Sequence, residues 1–167
     1  MNQVERHMAQ DHRELETLLK QLQEDAEAPE CAAMHGTWCE LEERLLGHLV
    51  AEEHYLLPLI EADHPAEVAR TLGEHDEIRR QVSELGVAIE LHAVRQPAIQ
   101  ELIRTLQAHA RFEDETLYPL VGEKASPILQ ERLGALLKAA VRLAKAASLK
   151  LSLTGSQRVG DSGLPRP

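Results

Sequence analysis

The stretch His48-Leu49-Val50-Ala51-Glu52-Glu53-His54-Tyr55-Leu56-Leu57-Pro58-Leu59-Ile60 occurs twice in altered form, the second time as His109-Ala110-Arg111-Phe112-Glu113-Asp114-Glu115-Thr116-Leu117-Tyr118-Pro119-Leu120-Val121. At this shift of 61 residues the copies share His, Glu four on, Leu eight on, Pro ten on and Leu eleven on, with Ile over Val at twelve. Four residues turn a helix through about 400°, so each His lies one turn from its Glu on one face. A His and a carboxylate so placed can reach one metal centre. Two such pairs facing each other are how helical bundles assemble a two-metal carboxylate site. The His-x-x-x-Glu spacing alone decides little, because it also occurs at His12 to Glu16. The repeated frame around it, including the matching prolines, singles out the two copies.

The chain has 167 residues, enough for one domain with a real core. Leu, Ala, Glu, Arg and Gln dominate, and aromatic residues are scarce, with one Trp, two Tyr and one Phe. Those are helix-forming residues without β-branched runs, so the expected fold class is all-α. The net charge of −10 offers no basic face to nucleic acid or to an anionic membrane, and it suits a protein that concentrates cations. No apolar run reaches membrane-spanning length. Cys31 and Cys39 fall eight apart on one expected helix. That is about 12 Å of rise, too far for a mutual disulfide. Two free thiols and no signal-peptide pattern lead to the expectation of a cytoplasmic protein.

Apolar periodicity and breakers predict five helices. The first covers about residues 3–24, with Val4, Met8, Leu15, Leu18, Leu19 and Leu22 inward and His12 on or beside that stripe. The second runs from about 30 to 63 through Trp38, Leu41, Leu45 and Leu49 and the first motif. Pro58 should bend it about a turn beyond Glu52. The third covers about 66–93, with Leu72, Ile78, Val82, Leu85 and Ile89 inward and His75 on its early part. The fourth, about 98–122, holds the second motif, with Pro119 as its bend. Ser126-Pro127 reads as an N-cap followed by Pro at the first helical position, opening a fifth helix to about 148–150. Its Lys138, Arg142, Lys145 and Lys150 read as a solvated basic stripe. Residues 151–167 turn to Gly, Ser, Pro and Arg and are expected to be a disordered tail.

A second repeat precedes the first. At a shift of 63 residues, Asp11-His12 overlays Glu74-His75, and Leu15, Leu19 and Leu22 overlay Ile78, Val82 and Leu85. Each half is therefore a helix with one His, a break, and a helix with His-x-x-x-Glu. Two antiparallel hairpins of this kind, paired, bring His12, His48, His75 and His109 with Glu52 and Glu113 to one level of a four-helix bundle. Four imidazoles and two carboxylates are too many for one closed tetrahedral zinc site, and they suit two metals. Two divalent ions bring +4, while two carboxylates and a hydroxide return −3, a near-neutral sum that tolerates burial. His7, His35, His54, His64 and His92 lack a repeat partner and read as surface residues or neighbours of the ligands. Glu16 reads as exposed or as a partner to a ligand. Glu53 and Asp114 are expected to face away.

These residues resemble the hemerythrin-like family, the HHE cation-binding group, whose pattern is His, His-x-x-x-Glu, His, His-x-x-x-Glu. The resemblance covers about residues 3–122 of a single domain spanning 1–150. It implies an up-down-up-down four-helix bundle, with the extra helix at about 126–150. It also implies two iron ions in a non-haem, oxo- or hydroxo-bridged centre, bridged by Glu52 and Glu113. Oxygen-carrying members have a further His where Arg79 stands here, and their last acid is an Asp one residue beyond Glu113. The same set is similar to that of iron-sulfur cluster repair proteins and F-box-type iron sensors, which carry additional domains. The leading functional expectation is a protein that binds or senses a small ligand, O2 or NO, or iron itself. An enzyme of oxidative or nitrosative defence is the second, and a metal-free helical interaction module the third.

Overall fold

In the computed structural model the described residues are 2–27 and 31–156, and every regular element among them is helical. The helices are α1 (Gln3–Glu27), α2 (Cys31–Ala51), α3 (Pro65–Glu90), α4 (Gln96–Phe112), α5 (Tyr118–Lys124) and α6 (Pro127–Ser156). α6 thus continues past the expected end near 150, and residues 157–167 of the expected tail lie outside the described residues. No helix among the described residues is long and apolar enough to cross a membrane.

Two apolar clusters show how the helices run. One joins Leu15, Leu19 and Leu22 of α1 to Trp38 and Leu41 of α2, Val82 and Leu85 of α3, and Ile99 and Leu102 of α4. It therefore unites the late parts of α1 and α3 with the early parts of α2 and α4, as an up-down-up-down bundle requires. The other joins Val4 and Met8 to Leu56, Leu57, Ile60, Val68, Leu117, Tyr118 and Val121 at the opposite end, together with Leu133 and Leu137 of α6. The polar cluster described below lies between them.

The ends are set by local chemistry. Asn2 and Glu5 form a reciprocal cap on α1, Asn2 Oδ1 accepting from the Glu5 N–H at 2.9 Å and Glu5 Oε2 from the Asn2 N–H at 3.1 Å. Pro65 occupies the first turn of α3. Ser126 Oγ accepts from the Leu129 N–H at 3.2 Å and caps α6 as its sequence predicts. α3 ends where His92 takes a left-handed φ of 53°.

Two expectations need correcting. Leu72 is 42% exposed; Val68 and Thr71 take the inward positions on the first turns of α3. The helical phase set by His75 and Ile78 points back through Thr71 and Val68, and Leu72 falls a quarter-turn off it. The bends also begin before the prolines. A wide π-helical turn spans Glu52–Leu56, followed by a 3-10 turn at Leu57–Leu59 that contains Pro58. A second wide turn spans Glu113–Leu117, and Pro119 sits in the first turn of α5. Proline has no N–H to donate, so the turn before it relaxes.

α6 lies along α2. A Cβ built on Gly47 would stand 2.6 Å from the Val141 backbone, so a glycine is required for this close approach. Gly36, on the same helix, faces open space. Gly47→Ala is expected to lower stability by about 1–3 kcal/mol through overpacking against α6. Gly36→Ala should raise it by about 0.5–1 kcal/mol through helix propensity. Chemical denaturation of the two variants checks both signs.

Candidate metal centre

α1, α2, α3 and α4 each contribute inward polar side chains at one level. His48 and His75 are 1% and 0% exposed, Glu52 and Glu113 are 0%, and His109 is 4%. His12 is slightly more open at 12%. All six positions singled out by the repeats are therefore gathered in one place.

The inward atoms sit close without bonding to one another. His109 Nε2 lies 3.0 Å from Glu113 Oε1, His75 Nε2 3.2 Å from Glu52 Oε2, and His48 Nε2 3.5 Å from Glu52 Oε2. Yet these three ring nitrogens and those two carboxylate oxygens make no hydrogen bond. Ligands held about 2.1 Å from one ion stand roughly 3.0 Å apart at right angles and roughly 3.4 Å apart at tetrahedral angles. The atoms therefore have the spacing of neighbours around a cation, and their lone pairs aim at shared space. Five unpartnered buried atoms in one cage would be costly without such a partner.

The cage divides into two groups that share Glu113. Glu52, His75, His109 and Glu113 offer ligand atoms all within 4.8 Å of one another, as do His12, His48 and Glu113. Glu113 faces the first group with Oε1, 3.0 Å from His109 Nε2, and the second with Oε2, 3.2 Å from His12 Nε2. Glu52 is less symmetric. Its Oε2 lies between His48 and His75, and its Oε1 accepts a 2.6 Å hydrogen bond from the Tyr118 hydroxyl.

Tyr118 is absent from the sequence-derived set. Its hydroxyl lies 2.6 Å from Glu52, 3.0 Å from Glu113 and 3.2 Å from His12 Nε2. The wide turn puts it there. The Tyr118 N–H bonds the Glu113 carbonyl five residues back, so residues 113 and 118 come into line. The same distortion buries consecutive residues, Leu56 with Leu57 and Leu117 with Tyr118. Burial and the two adjacent carboxylates push the phenol well above its ordinary pKa, so it remains a donor.

Glu53 does not face away: its Oε1 accepts from His75 Nδ1 at 2.8 Å. Asp11 holds His48 Nδ1 and Glu74 holds His109 Nδ1, both at 2.8 Å. Asp114 lies 3.4 Å from His12 Nδ1, without hydrogen-bond geometry, and is half exposed. Behind three of these acids stands an arginine: Arg44 pairs with Asp11, Arg79 with Glu53 at 2.8 Å, and Arg70 with Glu74 at 2.7 Å. Arg70 also lies 3.6 Å over the Phe112 ring. Burial alone would raise the pKa of Asp11, Glu53 and Glu74, but the His and Arg partners win and lower all three. Carboxylates thus fix Nδ1 as the donor and leave Nε2 facing inward, the tautomer a metal ligand needs. Glu16 is exposed and pairs with Lys20, and His54 is exposed, its Nδ1 donating to the Val50 carbonyl.

A cavity of about 540 Å³ opens between α1 and α4 and reaches His12, His48 and His109. Leu15, Leu19, Leu45 and Leu106 line it, and Arg13, Glu16 and Arg111 border it.

A four-helix bundle with an imidazole–carboxylate cage at mid-height, built from two related hairpins, defines the class of protein. The particular family follows from comparison: the model of the hemerythrin HHE cation-binding domain matches residues 4–121, and the chain belongs to that family. No curated protein and no solved structure matches the chain.

Two predictions follow from this geometry. Burial alone would lower His12 and His75, but the Asp114, Glu113, Glu52 and Glu53 carboxylates beside them outweigh it and raise both to about 10. Without metal, their stabilising contribution is present in full below pH about 6.5 and lost as pH rises toward 10. Thermal melts of metal-free protein should therefore fall across that range, and a Tm flat or rising from pH 7 to 10 would contradict it. Asp11→Asn and Glu74→Gln should each weaken metal binding by about 10–100-fold, read by chelator competition, and Glu16→Gln should leave it unchanged.

Proposed function

We propose that the cage holds two iron ions and that the protein uses them to bind or sense a small diatomic ligand, O2 or NO. The observation that carries this reading is the division of the inward atoms into two groups around a shared Glu113. His75 and His109 with Glu52 and Glu113 would hold one ion; His12 and His48 with Glu113 would hold the other. The donor set fits iron, since imidazole and carboxylate together suit a borderline-to-hard ion. Iron with fewer than six protein ligands supplies open positions for a diatomic molecule and a change of one electron per ion.

The remaining work falls to the chain's own residues. The cavity beside His12, His48 and His109 gives a small apolar molecule a path that charged solutes meet at an Arg and Glu border. The Tyr118 hydroxyl donates to Glu52 at 2.6 Å and lies 3.0 Å from Glu113, so it ties the two carboxylates to one another. Glu53, Asp11 and Glu74 hold the imidazoles in place when the charge at the centre changes. Arg79 stands where oxygen carriers of the family have a further His, and it clamps Glu53. A ligand lost there leaves the site more open, which favours sensing or reaction over reversible carriage.

A second reading, an enzyme of peroxide or NO defence, is favoured by Tyr118, a buried O–H donor within reach of the same centre. A reducing cytoplasm suits either reading and the free thiol of Cys39. The net charge of −10 supports neither nucleic acid nor membrane as a partner.

Anaerobic loading with Fe(II) should give two ions per chain. Glu113→Ala and Glu52→Ala should lose most of the iron, and His54→Ala should keep it. Visible spectra then separate the readings: a stable change on NO or O2 supports binding or sensing, and sustained peroxide turnover abolished by Tyr118→Phe supports the enzyme. Equal iron content in all three variants would overturn both.

A further inference from the structure

The two halves of the cage are not held alike. His48, His75 and His109 each have Nδ1 bonded at 2.8 Å to a carboxylate and Nε2 free toward the cage. His12 has the reverse arrangement. Its Nε2 lies 3.2 Å from the Tyr118 hydroxyl, and its buried Nδ1 has no hydrogen-bond partner. No acid therefore fixes its tautomer or the tilt of its ring, as one does for the other three. His12 is also the most open of the four imidazoles, and it lines the cavity between α1 and α4.

The repeat shows where the lock is lost. At the shift of 61 residues Asp114 overlays Glu53, and at the shift of 63 Glu16 overlays Arg79. In one half, Glu53 bonds His75 Nδ1, and Arg79, one helical turn beyond His75, clamps Glu53 at 2.8 Å. In the other half the acid is shorter by one methylene and stops 3.4 Å from His12 Nδ1. One turn beyond His12 stands Glu16, a second negative charge in the place of the clamp, and it turns to Lys20 at 3.1 Å instead. The ligand sets are unequal as well. One group has four buried residues, Glu52, His75, His109 and Glu113; the other has three, His12, His48 and Glu113. Tyr118 occupies the second oxygen of Glu52 at 2.6 Å.

We propose that the His75–His109 position holds its ion permanently and that the His12–His48 position exchanges its ion through the cavity mouth, with His12 as the movable ligand. This rests on the two-ion reading above and adds that iron supply sets the occupancy of the second position alone. Asp114, Glu16 and Glu115 border the cavity and give an arriving cation carboxylates to meet. One ligand fewer and one unheld imidazole weaken the second position. The missing orienting partner alone is worth about 10–100-fold in metal affinity.

Release of Fe(II) to a chelator from anaerobically loaded protein tests this. Two phases of one ion each are expected, the first faster by about 10–100-fold. Protein stopped between the phases should keep its ion against His75 and His109, as located by anomalous scattering. Asp114→Glu combined with Glu16→Arg copies the Glu53–Arg79 lock into the other half. It should slow the first phase about tenfold and leave the second unchanged. His12→Ala should hold one ion and release it at the slow rate. Loss of both ions in one phase would overturn the proposal, as would a remaining ion at His12 and His48 or a first phase unmoved by the paired substitution. Failure of the two-ion reading shows separately, as fewer than two ions per chain before chelator is added. A lone ion at His12 and His48 then overturns the ranking, one at His75 and His109 supports it, and no iron at all overturns both.

Discussion

Glu52 and Glu113 are fully buried, share the Tyr118 hydroxyl, and contribute atoms to one group, with His75 and His109, whose ligand atoms all lie within 4.8 Å of one another. Two carboxylates cannot be brought so close in a dry interior unless positive charge lies between or around them. The rest of the bundle answers that constraint. Four imidazoles, one each from α1, α2, α3 and α4, surround the pair. With protons on His12 and His75 the cage is compensated in one way; with cations it is compensated in another. The two states make opposite demands on the ring nitrogens, so metal uptake must release protons.

Around this polar level the two apolar clusters act as clamps above and below it. The two wide turns are the local device that lets helices carry both duties. Each starts at a motif Glu, after the regular turn that sets His and Glu on one face, and ends before the proline. The extra residue per turn sends two consecutive side chains inward. In the first copy both are Leu and join the apolar cluster of Val4, Met8 and Ile60. In the second the later one is Tyr118, so the halves that are related in sequence make unequal contributions, and the phenol belongs to one side only.

Much of this was legible in the chain. A His and a Glu repeated within a shared frame mark the six positions that meet in the cage, because a duplicated hairpin places equivalent residues at equivalent heights. Helix existence follows from apolar spacing, although that spacing puts Leu72 inward where Thr71 and Val68 take the phase. Tyr118 was not legible: it overlays Leu57, so the repeat carries no signal for it. The acids behind the imidazoles were hidden differently. Asp11 and Glu74 overlay each other, as do Glu53 and Asp114, so the repeat marked them. Their partners are on other helices, however, and the crossing of Glu53 from one hairpin to His75 of the other needs coordinates to be seen. Asp114, the equivalent acid, reaches His12 less closely.

The division of the cage into two linked positions is the claim from which the functional reading descends. Anomalous scattering at the iron edge from crystals of iron-loaded protein tests it most directly. Two peaks about 3.5–4 Å apart are expected, one against His75 and His109 and the other against His12 and His48, with Glu113 between them. A single peak in the cage, or iron bound only outside it, would contradict the account.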